Sequence, residues 1–118
     1  MVVDSSPNRT DLAFRALSDP TRRDIVRRTA DVALSVSTLA RAYAMSFAAV
    51  QKHVAVLEAA GLVTKTRSGR EQLVKAGTTT LELVRAELDT LESTWRGRFD
   101  RMGELLAHDD REPPDGRH

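Results

Sequence analysis

At Leu62 the chain changes its hydrophobic period, and that change limits the folds open to it more than any other feature. Upstream, Val50, Val54 and Leu57 recur every three or four residues, the spacing that gives a helix one apolar face. Ser46 stands where such a helix begins, able to accept a hydrogen bond from a free amide, and Gly61 stands where it stops, able to take a left-handed φ. Downstream, residues 62–67 and 70–75 read as two strands, with Ser68-Gly69 as a two-residue turn in which Gly supplies positive φ. A hairpin alone is marginal in water, so this one must pack on the helices before it.

Helical spacing accounts for the rest. Thr10 reads as the N-cap of a first helix carrying Leu12, Ala13, Ala16 and Leu17 and ending near Ser18. Asp19-Pro20 restarts the chain with a cap and a proline at the first helical position. This second helix runs to about Thr29, burying Ile25 and Val26 and leaving Arg22, Arg23, Arg27 and Arg28 on its surface. Ser35 caps a third helix to about Tyr43 with Leu39 and Ala40 inward, and Ala44-Met45 makes a tight connection to the fourth, residues 47–60. From Thr78 to about His108 a single helix carries Leu81, Val84, Leu88, Leu91, Trp95, Phe99, Met102 and Leu106 in steps of three and four. At ~1.5 Å per residue it is roughly 45 Å long, more than a small domain can cover. Residues 1–9, with Pro7, and 109–118, with Pro113-Pro114 and Gly116, are polar and read as disordered. The expected fold is mainly α, five helices and a small β-hairpin in one domain over residues 10–108.

Several function classes fall away on composition. The chain has no cysteine, which removes disulfides, thiolate metal sites and thiol nucleophiles together. No apolar run approaches the ~20 residues of a membrane span, and Met1–Thr10 lacks the apolar stretch of a secretory signal, so a cytoplasmic protein is expected. Nor is there a strained nucleophile turn of the kind a Ser-His-Asp hydrolase needs; no enzymatic chemistry and no cofactor are expected. The formal net charge is only +1, yet residues 1–75 hold 12 Lys and Arg against 7 Asp and Glu, and residues 76–118 hold 6 against 10. A basic body joined to an acidic segment suggests an anionic partner for the first part.

A short helix, a tight turn, a second helix and a basic hairpin have a physical use together. The second helix of such a pair fits the DNA major groove, where base edges are distinguishable. The hairpin then sets Lys65, Arg67 and Arg70 beside the phosphate backbone or minor groove. The run Met45-Ser46-Phe47-Ala48-Ala49-Val50-Gln51-Lys52-His53-Val54, continuing to Ala60-Gly61-Leu62-Val63, resembles the recognition-helix signature of the ArsR/SmtB-type repressors. Ala16-Leu17-Ser18-Asp19-Pro20-Thr21-Arg22-Arg23 is similar to a second segment of that family, and the Arg67–Arg70 turn resembles its wing. The resemblance covers about residues 11–108. It implies a winged helix-turn-helix homodimer joined through its first and last helices, here through Leu12, Leu81, Val84, Leu88, Leu91, Trp95 and Phe99. It also implies base reading on the fourth helix at Ser46, Phe47, Gln51, Lys52 and His53. Phe47 departs from the polar residue usual there, and Gln51, in place of the commoner Ser, suits a bidentate bond to adenine.

Many members of that family sense metals through a C-V-C pair. This chain has Ser35 and Ser37 where the thiolates would stand, and hydroxyls are poor ligands for such metals. The last helix has no His before His108, which leaves only His108, Asp109, Asp110 and the tail as an alternative, so no metal is expected. The expected partner is double-stranded operator DNA, bound by a repressor that the resemblance implies regulates its own operon, with its effector unassigned. The rival is a protein-interaction or antitoxin-like adaptor that keeps the winged dimer as scaffold. The six Lys and Arg against two Asp and Glu over residues 32–75 favour DNA.

Overall fold

The computed structural model describes residues 8–111, with side chains to residue 106. The elements are α1 (Arg9–Leu17), α2 (Pro20–Arg28), β1 (Leu34–Ser35), α3 (Val36–Tyr43), α4 (Phe47–Ala59), β2 (Val63–Ser68), β3 (Glu71–Ala76) and α5 (Thr79–Arg111). Residues up to Arg85 form one compact unit, and α5 from Ala86 onward forms a second. Among the described residues no helix is long and apolar enough to cross a membrane.

Three helix starts follow the caps expected of them. Asp19 accepts from the Arg22 amide with Pro20 in the first turn, Ser35 accepts from Thr38 at 3.0 Å, and Ser46 accepts from Ala49 at 3.1 Å. α1 is the exception. Its cap is Asn8, whose Oδ1 accepts from the Asp11 amide at 2.8 Å, and Thr10 lies inside the helix. Arg9 therefore belongs to α1 and not to a disordered end, because Asn8 captures the first free amide two residues earlier than Thr10 could. At the other end Asp109–Arg111 prolong α5 past His108. What remains of the expected disorder, residues 1–7 and 112–118, lies outside the described residues.

The first unit is built around Ile25, Leu39, Val50, Val54, Leu57, Leu62 and Val74, all essentially without solvent contact. Val50, Val54 and Leu57 form the buried stripe of α4, and Leu62 and Val63 carry the core on into β2. Val84 is also buried, while Leu12 and Leu81 are partly buried against the same core. Three of the seven residues expected at a subunit interface are therefore wholly or partly engaged within the protomer.

The hairpin is antiparallel and runs from Val63 opposite Ala76 to Ser68 opposite Glu71. Its two-residue turn is Gly69-Arg70, one position beyond the expected Ser68-Gly69. Gly69 has φ +63° and Arg70 does not share the positive φ. Glycine is needed at the first central position of a type II′ turn, so each strand shifts by one residue. A third strand was not anticipated: Leu34 and Ser35 pair with Val74 and Leu73, giving the order β1-β3-β2.

Gly61 joins α4 to this sheet at φ +75°. Its amide donates to the Glu58 carbonyl and the Leu62 amide to the Leu57 carbonyl, closing the helix. The Gly61 carbonyl accepts the hydroxyl of the buried Thr80 at 2.9 Å. A Cβ on Gly61 would stand 2.8 Å from both Thr80 Oγ1 and Arg9 Nη1, whereas a Cβ on Gly69 would meet nothing within 4 Å. Gly69→Ala should therefore lower unfolding free energy by about 1–2 kcal/mol, the strain of its left-handed φ alone, and Gly61→Ala by roughly 1–3 kcal/mol more, because its Cβ also crowds Thr80 and Arg9. Urea denaturation of the two variants checks the order, and equal losses would place no special constraint at Gly61.

Candidate nucleic-acid interface

The face of α4 opposite its buried stripe is open. Ser46, Phe47, Gln51 and Lys52 are exposed, and Phe47 keeps 48% of its surface in solvent despite being apolar. Arg67 and Arg70 are exposed at the far end of the hairpin. The fold brings Phe47 and Gln51 together with both arginines around one recess of about 220 Å³, whose lining includes Ser37, Glu71 and Gln72. In its wall Gln72 Oε1 is buried without a hydrogen-bond partner among the described residues. Ser37 and Gln72 are thus part of the site although neither was expected to face DNA. Nothing local marks them; they arrive there because β3 pairs with β1 and returns past the start of α3.

Two of the residues expected at DNA have partners inside the protomer. Lys65 Nζ lies 3.5 Å from Glu58 Oε1 on α4, an ion pair that ties the sheet to the helix. His53 is half-buried and faces α2: its Nδ1 is 3.3 Å from Arg22 Nη1 and 4.0 Å from Asp19 Oδ2. The exposed constellation is therefore Ser46, Phe47, Gln51, Lys52, Arg67 and Arg70, with His53 and Lys65 behind it.

The arginines of α2 hold the helices in place. Arg22 donates through Nε to the Ala16 carbonyl at 2.7 Å and through Nη2 to Arg15, and Arg23 donates to Leu17 at 2.8 Å. Together they satisfy the carbonyls that the end of α1 leaves free. Asp19 caps α2 in the same turn, and the Arg22 amide bound to its carboxylate holds that carboxyl below the usual range.

On the other side of α2, Asp24 accepts from the Tyr43 hydroxyl at 2.7 Å and from Arg28 Nε at 2.7 Å, with Arg27 3.8 Å away. The Arg28 guanidinium lies 5.3 Å from the centre of the Tyr43 ring. This clamp fixes the end of α3 against α2. Its hydrogen bonds, Tyr43 first, hold the Asp24 carboxyl below its ordinary value. Burial, reinforced by Asp24, pushes the Tyr43 phenol up to about 12.

No group of three or more His, Asp or Glu side chains able to hold a metal stands together among the described residues. The side chains of His108, Asp109 and Asp110 lie outside them.

A helix pair with a capped, exposed second member and a neighbouring three-stranded sheet ending in two exposed arginines is a winged helix-turn-helix DNA-binding domain. Residues 17–66 match the helix-turn-helix domain family. The chain is 40% identical over 79 residues to the HTH-type transcriptional regulator Rv2034 of Mycobacterium tuberculosis, an alignment covering 67% of this chain and 74% of that one. An ArsR-like transcriptional regulator from Rhodococcus sp. RHA1 superposes with a TM-score of 0.71 at 30% identity, covering 82% of this chain and 92% of that one. The homodimeric winged helix-turn-helix DNA-binding domain Mb0332 of Mycobacterium bovis shares the fold at 18% identity, with a TM-score of 0.59, covering 100% of this chain and 98% of that one. This chain belongs to the ArsR family of winged helix-turn-helix transcriptional regulators.

The Asp24–Tyr43 clamp has a measurable signature, since Tyr43 is the only tyrosine. Its folded pKa lies above the ordinary 10.0, so its stabilising contribution is complete below pH 10 and is lost as pH rises toward about 12. Asp19 and Asp24 act in the opposite direction. Their contribution is present above the ordinary carboxyl value of 3.8 and disappears as pH falls through their lowered folded values. Alkaline titration of tyrosinate absorbance should give one midpoint near 12; a midpoint near 10 would mean the hydroxyl does not hold Asp24 in solution.

Proposed function

We propose that this regulator is a cytoplasmic, homodimeric repressor that binds an inverted-repeat operator, including one before its own gene. The observation that carries the reading is the shared recess, where the exposed start of α4 and the tip of the hairpin meet. α4 enters the major groove. Ser46 and Lys52 contact phosphate or base edges, Gln51 pairs with adenine, and Phe47 packs on a thymine methyl. Arg67 and Arg70 neutralise backbone phosphates, which makes affinity fall with salt. His53 and Lys65, held by Arg22 and Glu58, act mainly by fixing the pose of α4 and the wing, and reach DNA only at the edge of the contact.

Pairing through α1 and α5 is supported by the homodimeric state of the Mycobacterium bovis domain and by the apolar residues α5 leaves exposed. With Val84 buried, the interface draws on Leu88, Leu91, Trp95 and Phe99, and on Leu12 and Leu81 where they are still partly open. Ser35 and Ser37 in place of thiolates favour an effector other than a metal held at that position. Ser35 already serves as the cap of α3, its hydroxyl engaged with Thr38.

Footprinting on the upstream region of the protein's own gene should show two dyad-related protected stretches, with half-site centres ~10 bp apart or a multiple of that. Protection of a single asymmetric half-site would overturn the dimeric reading. Gln51→Ala should relax the preference at one base pair per half-site, by about 1–3 kcal/mol. Arg70→Ala should weaken binding to all sequences alike and reduce the salt slope by about one per subunit, about two for the dimer. Uniform loss in both variants would remove α4 as the specificity element.

A further inference from the structure

Among the described residues a single buried polar side-chain atom is left without a hydrogen-bond partner, and it is Gln72 Oε1. The hairpin register explains how it comes to be there. Side chains alternate across a strand, so Gln72 lies on the same face of β3 as Val74, the face turned to the core. Arg67 is the residue opposite Gln72 on β2 and shares that face. Beyond Val74 the core ends, and this face of the sheet borders the recess of about 220 Å³ beside the start of α4. An acceptor buried in such a place is costly until a donor reaches it.

The other lining residues supply complementary chemistry. Phe47 and Gln51 stand one turn apart on α4, which sets an aromatic ring beside an amide. Phe47 keeps 48% of its surface in solvent, an open face for a second flat ring to lie on. Arg67 and Arg70 bring two guanidiniums against the one carboxylate of Glu71, so the recess carries net positive charge. A guanidinium fork matches the two oxygens of a carboxylate in shape as well as charge.

Size narrows the class of occupant. A cavity of roughly 150 Å³ admits benzene. At about 220 Å³ there is room for one ring, a carboxylate and a small substituent, about ten non-hydrogen atoms in all. A nucleotide, with roughly twice as many, is too large.

We propose that the recess between α4 and the hairpin binds a small aromatic carboxylate bearing a hydroxyl or amino group. That group donates to Gln72 Oε1, the carboxylate pairs with Arg67 and Arg70, and the ring lies on Phe47. Gln51, Arg67 and Arg70 are also the residues assigned to DNA above, so ligand and operator exclude each other and the ligand acts as a releasing effector. Release rests on that DNA reading; occupancy of the recess does not.

Calorimetric titration of the full chain without DNA reads the site directly. The probes are 3-hydroxybenzoate, benzoate, which lacks the donor, and phenol, which lacks the anion. The hydroxyl is placed meta because an ortho hydroxyl bonds to its own carboxylate. 3-Hydroxybenzoate should bind about tenfold more tightly than either of the others, or better. Gln72→Met should erase its advantage over benzoate, and Arg70→Ala should weaken 3-hydroxybenzoate and benzoate alike. Equal affinity of the unaltered chain for benzoate and 3-hydroxybenzoate, or no binding of any probe, overturns the site. This comparison needs no variant, so a poorly folded Gln72→Met does not blunt it. A gel shift on the upstream DNA then tests release, with benzoate at equal concentration as the ionic-strength control. Saturating 3-hydroxybenzoate should raise the apparent Kd for DNA about tenfold. Selective binding that leaves the DNA complex intact keeps the recess as a site and overturns the assignment of Arg67 and Arg70 to DNA phosphates.

Discussion

The geometry of the DNA-binding unit depends on one backbone torsion, the left-handed φ of Gly61. α4 and the hairpin are separated by only Ala60, Gly61 and Leu62, so the direction in which the chain leaves the helix sets where the wing stands. Four structural contacts converge on that point: the Thr80 hydroxyl on the Gly61 carbonyl, the Gly77 amide on the Leu62 carbonyl, Arg9 beside the Gly61 Cα, and Leu62 in the core. A side chain there would displace both Arg9 and Thr80. The direction this junction sets brings Arg67 and Arg70 to the recess they share with Gln51.

Much of that organisation was legible in the amino-acid sequence, and the legible part was local. Ser35, Ser46 and Asp19 identify themselves as caps because a cap is decided within four residues, and Gly61 does so because it follows a clear apolar stripe. The turn shifted by one residue because Ser68-Gly69 and Gly69-Arg70 are both acceptable dipeptides, and only the cross-strand register chooses between them. β1 has two residues, too few to show any period, and is a strand only because Val74 and Leu73 lie beside it. Asn8 and Thr10 are both good caps, and nothing in their spacing alone decides which one wins.

The site was legible in outline for the same reason. Exposure of Phe47 and Gln51 follows from the period of α4. The engagement of Lys65 with Glu58, and of His53 with Arg22, depends on elements that meet only in the folded unit. Charge counting is a blunt tool for the same cause. Of the basic residues on α2, Arg22 and Arg23 bind carbonyls of α1 while Arg27 and Arg28 bind Asp24. The arginines left without an acidic or carbonyl partner among the described residues include Arg67 and Arg70 at the wing.

The Gly61 junction is also where three separate parts of the chain meet. Thr80, in the first turn of α5, binds its carbonyl, and Arg9, in the first turn of α1, lies against it. Whatever displaces the start of either helix therefore acts on the joint between α4 and the wing directly, without first having to rearrange the core.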